Sequence, residues 1–209
     1  MHHNLQAEGF GLRLRPVRME DAPFIVWLRQ LDHALGRVGN SATDTAGQEA
    51  WLRAYFERQG DYYFILETTD SLLLGAYGIY DLKGTSAESG RWVIRPGVPA
   101  AIPNAILAFE LAFGPLHLTE LRASTVSTNT PVLSLNRKFG FRQTGVSPAA
   151  QTIGGKSVDL IHFVLERDPW PGIREKLLPL GRLAGKQVET WETAQSQQSR
   201  APWSQAGSP

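Results

Sequence analysis

Cysteine is absent from the 209 residues. That excludes disulfides, thiolate nucleophiles and cysteine-bound zinc. It fits a reducing compartment, and the N-terminal MHHNLQAEGFG lacks the apolar run of a secretory signal. A cytoplasmic protein is therefore expected. No stretch reaches the ~18 uninterrupted apolar residues of a membrane span, so no membrane partner is expected. A surplus of one charge is missing as well: 21 Lys and Arg stand against 20 Asp and Glu, a net charge of +1. Without a broad basic field, nucleic acid is not an expected partner. The adjacent His2 and His3 are expected to be solvated at a frayed terminus, and no metal site is expected. What is present is 42% hydrophobic and 10% aromatic residues, enough for one packed domain with a tail.

In chain order, Leu12 to Val17 alternates apolar and basic residues, as a half-buried strand does. Met19 to Leu31 reads as a helix with acids in its first turn. His33 to Asn40 is a polar, Gly-containing loop. Thr45-Ala46-Gly47-Gln48 matches a capping box ahead of a helix to about Arg58. Tyr62 to Thr68, Leu72 to Leu82 and Ala87 to Ile94 form a strand meander, with Gly75 and Gly78 marking a bulge or a close backbone approach. A strand from Leu121 to Ser127 follows, then a short helix from Asn129 that ends at Gly140. Phe141 to Gly145 and Ser157 to Glu166 are the last strands. Trp170 to Ala184 reads as a docked helix, and Gln187 to Pro209, rich in Gln, Ser, Thr and Ala, as disordered. The order predicts a mixed α/β fold around one sheet of about seven strands with about four helices. The implied units are an extension (1–11), a domain (12–168), a helical extension (169–186) and a tail (187–209).

Arg91 to Gly114 organises the chain. A strand end, the turn Arg95-Pro96-Gly97, small residues from Val98 to Ala101, and a long apolar helix from about Pro103 to Phe113 follow one another. The first N–H groups of a helix lack internal partners and carry the positive end of its dipole. A diphosphate fits such a corner without basic side chains.

Three local patterns resemble the GNAT superfamily of acetyl-CoA-dependent N-acetyltransferases over roughly residues 10 to 168. Ala87 to Pro96 is similar to the family's fourth strand with its Pro-containing exit. The turn and long helix come next. Asn129, followed by Asn136-Arg137-Lys138-Phe139-Gly140-Phe141, is similar to the family's Asn after the fifth strand and its helix ending in Lys-x-Gly-Phe. The resemblance implies acetyl transfer from acetyl-CoA to an amine in a mostly antiparallel sheet. It implies pantetheine along Val93, Ile94 and Arg95, with the Ile94 N–H facing the developing oxyanion. It places the diphosphate on Val98, Pro99, Ala100, Ala101 and Ile102, and puts Asn129, Asn136 and Arg137 on the thioester side. Pro99 and Ala101 stand where the family's loop carries glycine. Asn136 stands where many members place the Tyr that reprotonates the thiolate, and an amide is no practical acid.

An amine attacks only as the neutral base, so a proton must be removed. Glu88 on the fourth strand is one candidate base. His162, expected to face opposite to Ile161 and Phe163, is another; water is a third. Trp27, Tyr77 and Tyr80 offer flat surfaces for a sugar or nucleobase. Tyr77 and Tyr80 have opposite strand parity, so without a bulge only one of them can face a pocket. Arg37 and Arg91 offer phosphate contacts. The run DYYFIL, the run GAYGIYDL and RWVIRPG are similar to members associated with surface-polysaccharide pathways, which implies a nucleotide-linked amino sugar as acceptor. The alternatives are a protein N-terminal acetyltransferase, a non-catalytic acyl-CoA-binding module and an interaction protein acting through its tail. A homodimer is compatible with the exposed strand edges and the Trp170 segment.

Overall fold

The computed structural model describes residues 2–31, 34 and 42–198. The loop reading around His33 and Arg37, and the tail beyond 198, lie outside them. Eight strands form one sheet: β1 (Ala7–Gly9), β2 (Leu12–Pro16), β3 (Tyr62–Thr68), β4 (Leu73–Lys83), β5 (Ser86–Ile94), β6 (Glu120–Val126), β7 (Arg142–Ile153) and β8 (Lys156–Glu166). Five helices accompany them: α1 (Ala22–Arg29), α2 (Thr45–Phe56), α3 (Ala101–Phe113), α4 (Thr130–Lys138) and α5 (Trp170–Gln198). The sheet order is β1-β2-β3-β4-β5-β6-β8-β7, antiparallel except where β5 meets β6. This is the mixed α/β architecture expected. The added strand, β1, comes from a hairpin in the N-terminal extension.

Both faces of the sheet are covered. One face packs against α3 and α5 through Leu12, Leu14, Phe64, Leu66, Phe109 and Phe163. The other packs α1 and α2 against Tyr63, Ile65, Ala76 and Val93. Because β3 is buried on both sides, its sequence YYFILET shows no polar alternation. Each fully buried Phe, Leu or Ile contributes about 1.5–3 kcal/mol. Gly75 permits close strand approach, since a Cβ there would lie 2.5 Å from the Val93 carbonyl oxygen.

Local corrections have clear causes. Asp44, not Thr45, caps α2: its carboxylate accepts the Gly47 N–H at 2.7 Å. The carboxylate reaches the first turn from one residue earlier than the Thr45–Gln48 box would. His3 is packed rather than solvated, while His2 stays exposed. His2 stacks on Phe56 at 4.2 Å, and His3 lies edge-on to Tyr62 and Phe64. Burial chiefly pulls the His3 pKa down to about 4.

The segment read as disordered from Gln187 is helical to Gln198. The apolar stripe Leu177, Gly181, Ala184, Val188 and Trp191 continues through residue 187 at helical spacing. Polar residues occupy much of the other face, so the segment's composition resembles that of a tail. Arg174 binds Glu110 of α3, and Thr68 donates to Glu192 at 2.7 Å. Phe10 seats against Gly181 and Gly185, where a Cβ on Gly185 would lie 2.5 Å from the Phe10 carbonyl oxygen. Gly185→Ala is therefore expected to destabilise the protein by about 1–3 kcal/mol through overpacking, although alanine is the better helix former. A melting temperature equal to or above wild type would contradict this close fit.

Candidate active site

The parallel register of β5 and β6 pairs Ser86 with Glu120, Ala87 with Leu121 and Glu88 with Arg122. It extends no further, although β5 runs to Ile94 and β6 to Val126. The two strands diverge into a cleft of about 660 Å³. Ala101 of α3 and Pro131, Leu135 and Asn136 of α4 line one side of it, with Asn129 just before α4. Arg29, Trp51, Arg58 and Tyr80 line the α1–α2 side, and Glu88 and Ser124 stand between.

Helix α3 opens without a side-chain cap. The Asn104 N–H bonds the Ala100 carbonyl at 3.0 Å, and Pro103 has no N–H. Ala101 and Ile102 are left as the N–H donors of the first turn. That corner and the open β5–β6 wedge suit an elongated thioester carrying a diphosphate. Pro99, Val98 and Ile102 are half-buried around the corner, and Ala100 is fully buried.

The expected residues separate into two groups. Glu88, Val93, Ile94, Ala101, Asn129, Asn136, Tyr80 and Arg91 line the cleft. Asn136 is buried and donates its amide N–H to Thr125 Oγ1 at 3.1 Å. Arg95, Val98, Pro99, Ala100, Ile102, Trp27, Tyr77, Arg137 and His162 do not line it. The Arg95 guanidinium turns away to lie over the Trp27 and Trp191 rings, 5.5 and 5.1 Å from their centroids. Trp27 is thereby taken up by packing. Tyr77 is a core residue, fully buried, with its hydroxyl 2.5 Å from Ser89 Oγ and its ring edge-on to Trp92. Burial raises its pKa. Arg137 is exposed on α4.

Arg91 lines the cleft but is committed elsewhere. Its guanidinium holds Asp61 through both carboxylate oxygens, at 2.5 and 3.0 Å, and covers the Tyr80 ring at 4.2 Å. Its φ of 51° lies in the left-handed region. There β5 carries Arg91 and Trp92 opposite the single residue Tyr77, a bulge. Gly90 lets the Tyr80 hydroxyl lie against the β5 backbone, since a Cβ there would be 2.5 Å from that oxygen.

Glu88 is half-buried. Burial raises its pKa, while the nearby Ser124 hydroxyl and the charge of Arg122 oppose the rise. A carboxyl so placed keeps its proton to higher pH than an exposed one and is a better proton acceptor for an amine. Ser124, Trp51, Arg29 and Arg58 were not read as site residues from sequence. Trp51 alone carries a local signal, since Trp27, Trp51, Tyr55, Tyr62, Tyr63, Tyr77 and Tyr80 crowd the sequence ahead of β5.

A wedge between two parallel strands, a bare helix N-terminus and a half-buried carboxylate suit an acyltransferase of the acetyl-CoA type. Residues 11–142 match the family model described as the acetyltransferase (GNAT) domain. The chain belongs to the GNAT family and is an acetyl-CoA-dependent N-acetyltransferase. Its fold is similar to a mutant form of the spermidine N-acetyltransferase SpeG from Vibrio cholerae: TM-score 0.70, 18% identity, covering 78% of this chain and 97% of that one. A GCN5-related N-acetyltransferase from Brucella melitensis is similar at TM-score 0.71 and 18% identity, covering 85% and 86%. FdhC, a nucleotide-linked sugar GNAT, is similar at TM-score 0.69 and 23% identity, covering 86% and 98%. No curated protein matches the sequence. Among the described residues no helix is long and apolar enough to cross a membrane.

Proposed function

We propose that the enzyme acetylates the primary amine of a small, negatively charged molecule, with a nucleotide-linked amino sugar as the acceptor class and Glu88 as the base. One observation carries this reading. Among the described lining residues, Arg58, its side chain 43% exposed, stands at the cleft opposite the single lining carboxylate Glu88. The nearby Asp61 is already paired with Arg91 and lies 3.6 Å from Arg58. Such a surface repels a polyamine and attracts a phosphate. Trp51, with Arg58 5.0 Å from its ring centroid, adds an aromatic wall for a sugar or base. The nucleotide-linked sugar acceptor of the fold relative FdhC is consistent with that chemistry.

Acetyl-CoA would lie in the β5–β6 wedge, with Val93 and Ile94 alongside and the first-turn N–H groups of Ala101 and Ile102 toward its diphosphate. It supplies the activated acetyl group. Glu88 accepts the ammonium proton, and Tyr80 and Ser124 flank the approach.

Thiol release from acetyl-CoA is the test, with a uridine- or thymidine-diphosphate amino sugar, spermidine and an alanine-initiated peptide as competing acceptors. The nucleotide sugar is expected to turn over fastest. Arg58→Glu should raise its KM by at least about tenfold, since a hydrogen bond to a charged group contributes about 1.5–3 kcal/mol. Preferred turnover of spermidine, or of the peptide, would overturn the acceptor class.

A further inference from the structure

One row of side chains crosses four strands on the sheet face opposite α3. Parallel register sets Glu88 beside Arg122, and Ser124 is the next residue of β6 on that face. Antiparallel register sets Ser124 opposite His162 and His162 opposite Gly145. Ser124 Oγ lies 3.1 Å from His162 Nδ1, and Ser147 Oγ lies 2.8 Å from His162 Nε2. Ser124 and Glu88 stand on neighbouring strands and both line the cleft, close enough for the hydroxyl to favour the ionised carboxyl. Both imidazole nitrogens are thus held by hydroxyls, and His162 does not line the cleft. It is badly placed to take a proton from an amine directly. It is well placed to act on the residue that does.

We infer that Ser124 and His162 are positioning residues for Glu88, and that the His162 tautomer is set by the protonation of that carboxyl. The inference rests on Glu88 being the base. Donor counting fixes the direction. An ionised carboxylate only accepts, so Ser124 donates to Glu88. The Ser124 oxygen then accepts from His162 Nδ1–H, and the bare Nε2 accepts from Ser147. One carboxylate oxygen is pinned toward β6 and the other is left for the amine. When Glu88 is protonated, its O–H can donate to Ser124 and every bond in the row can reverse, ending with Nε2–H toward Ser147. The other groups facing Glu88 are Arg122 and Asp81, which pair with each other at 3.6 Å, and Tyr80, covered by Arg91. His162 is faced by Ser124, Ser147 and the bare Gly145 backbone.

Ring-nitrogen NMR of the full chain tests the row without any acceptor. The neutral imidazole of His162 is expected as the Nδ1–H tautomer when Glu88 is ionised, and that preference should be lost in Ser124→Ala and in Glu88→Gln. A predominant Nε2–H tautomer in the wild type, or one unmoved by Ser124→Ala, overturns the inference. Kinetics supply the second readout, using the best amine of the acceptor set above. Ser124→Ala should lower kcat on the order of tenfold, with the KM for acetyl-CoA unchanged, and Ser124→Thr should restore it. A Ser124→Ala enzyme within twofold of wild type refutes the positioning role. If no amine is turned over at all, the acceptor assignment fails, while the tautomer measurement still decides the row.

Discussion

Glu88→Gln is expected to lower kcat by about 10²–10⁴-fold, the usual contribution of a positioned general base, while acetyl-CoA binding measured by calorimetry stays near wild type. The separation follows from geometry. Glu88 stands where β5 and β6 part, between the α3–α4 wall and the Trp51, Arg58 and Tyr80 wall. Its loss removes a proton acceptor and leaves the α3 corner untouched. The pH dependence has a definite sign. Burial holds the Glu88 pKa above the ordinary carboxylate range, and Asp81 pushes the same way, while Ser124 and Arg122 pull it back. As the proposed base, Glu88 would act only when ionised, so the rate is expected to rise as pH climbs through that elevated pKa. The acidic limb in kcat/KM should therefore lie above the value of an exposed Glu, and it should vanish in Glu88→Gln. A variant retaining a tenth of wild-type kcat would show that water or another group removes the proton.

The largest stability loss is expected at Arg15, far from the chemistry. Arg15 is 7% exposed and bridges two buried acids. It holds Asp21 through two bonds of 2.8 Å and Glu67 through a third of 2.8 Å. Burial alone would lower its pKa, but these hydrogen bonds and charges outweigh it, and the pKa is raised. Arg15→Met would strip Asp21, 2% exposed, of the guanidinium that neutralises it. Removing one member of a buried ion pair costs about 3–5 kcal/mol. For a chain of this length that corresponds to a fall in melting temperature of roughly 10 °C. Arg13→Ala is the contrast. Arg13 also binds Glu67, at 2.7 Å, but its side chain is 30% exposed and Glu67 would keep Arg15. Its loss should cost about 1 kcal/mol or less. Equal melting temperatures for the two variants would mean that the network is not held by its buried member.

Much of the fold can be read locally because its signals are local. The strand meander, the Pro-marked start of α4 and its stop at Gly140 each depend on neighbours a few residues apart. The parity of Ile161, His162 and Phe163 likewise requires only the period of a strand. Long-range partners decide the rest. Arg91 reads as a phosphate ligand until Asp61, 30 residues earlier, takes its guanidinium. Nothing near Ser124 distinguishes it from any other strand serine; register with Glu88 and His162 gives it a place. Tyr77 and Tyr80 are separable only in part. Parity allows one of them a pocket, and packing against Trp92 and Ser89 puts Tyr77 in the core. In α5 composition misleads, because a helix needs only one apolar stripe to dock, and a count over all faces hides it.

The additional residue at Arg91 has a consequence for how this strand can change. On β5 the odd-numbered Ala87 faces the α3 layer, yet beyond the bulge that side belongs to the even-numbered Trp92 and Ile94, while Val93 joins the α1–α2 layer. The strand keeps count in two phases, and Arg91 is the hyphen between them. A different amino acid there disturbs a charge and a backbone angle. A missing one inverts either the half that holds the carboxylate or the half that lies along the wedge, so the position tolerates changes of kind far better than changes of number.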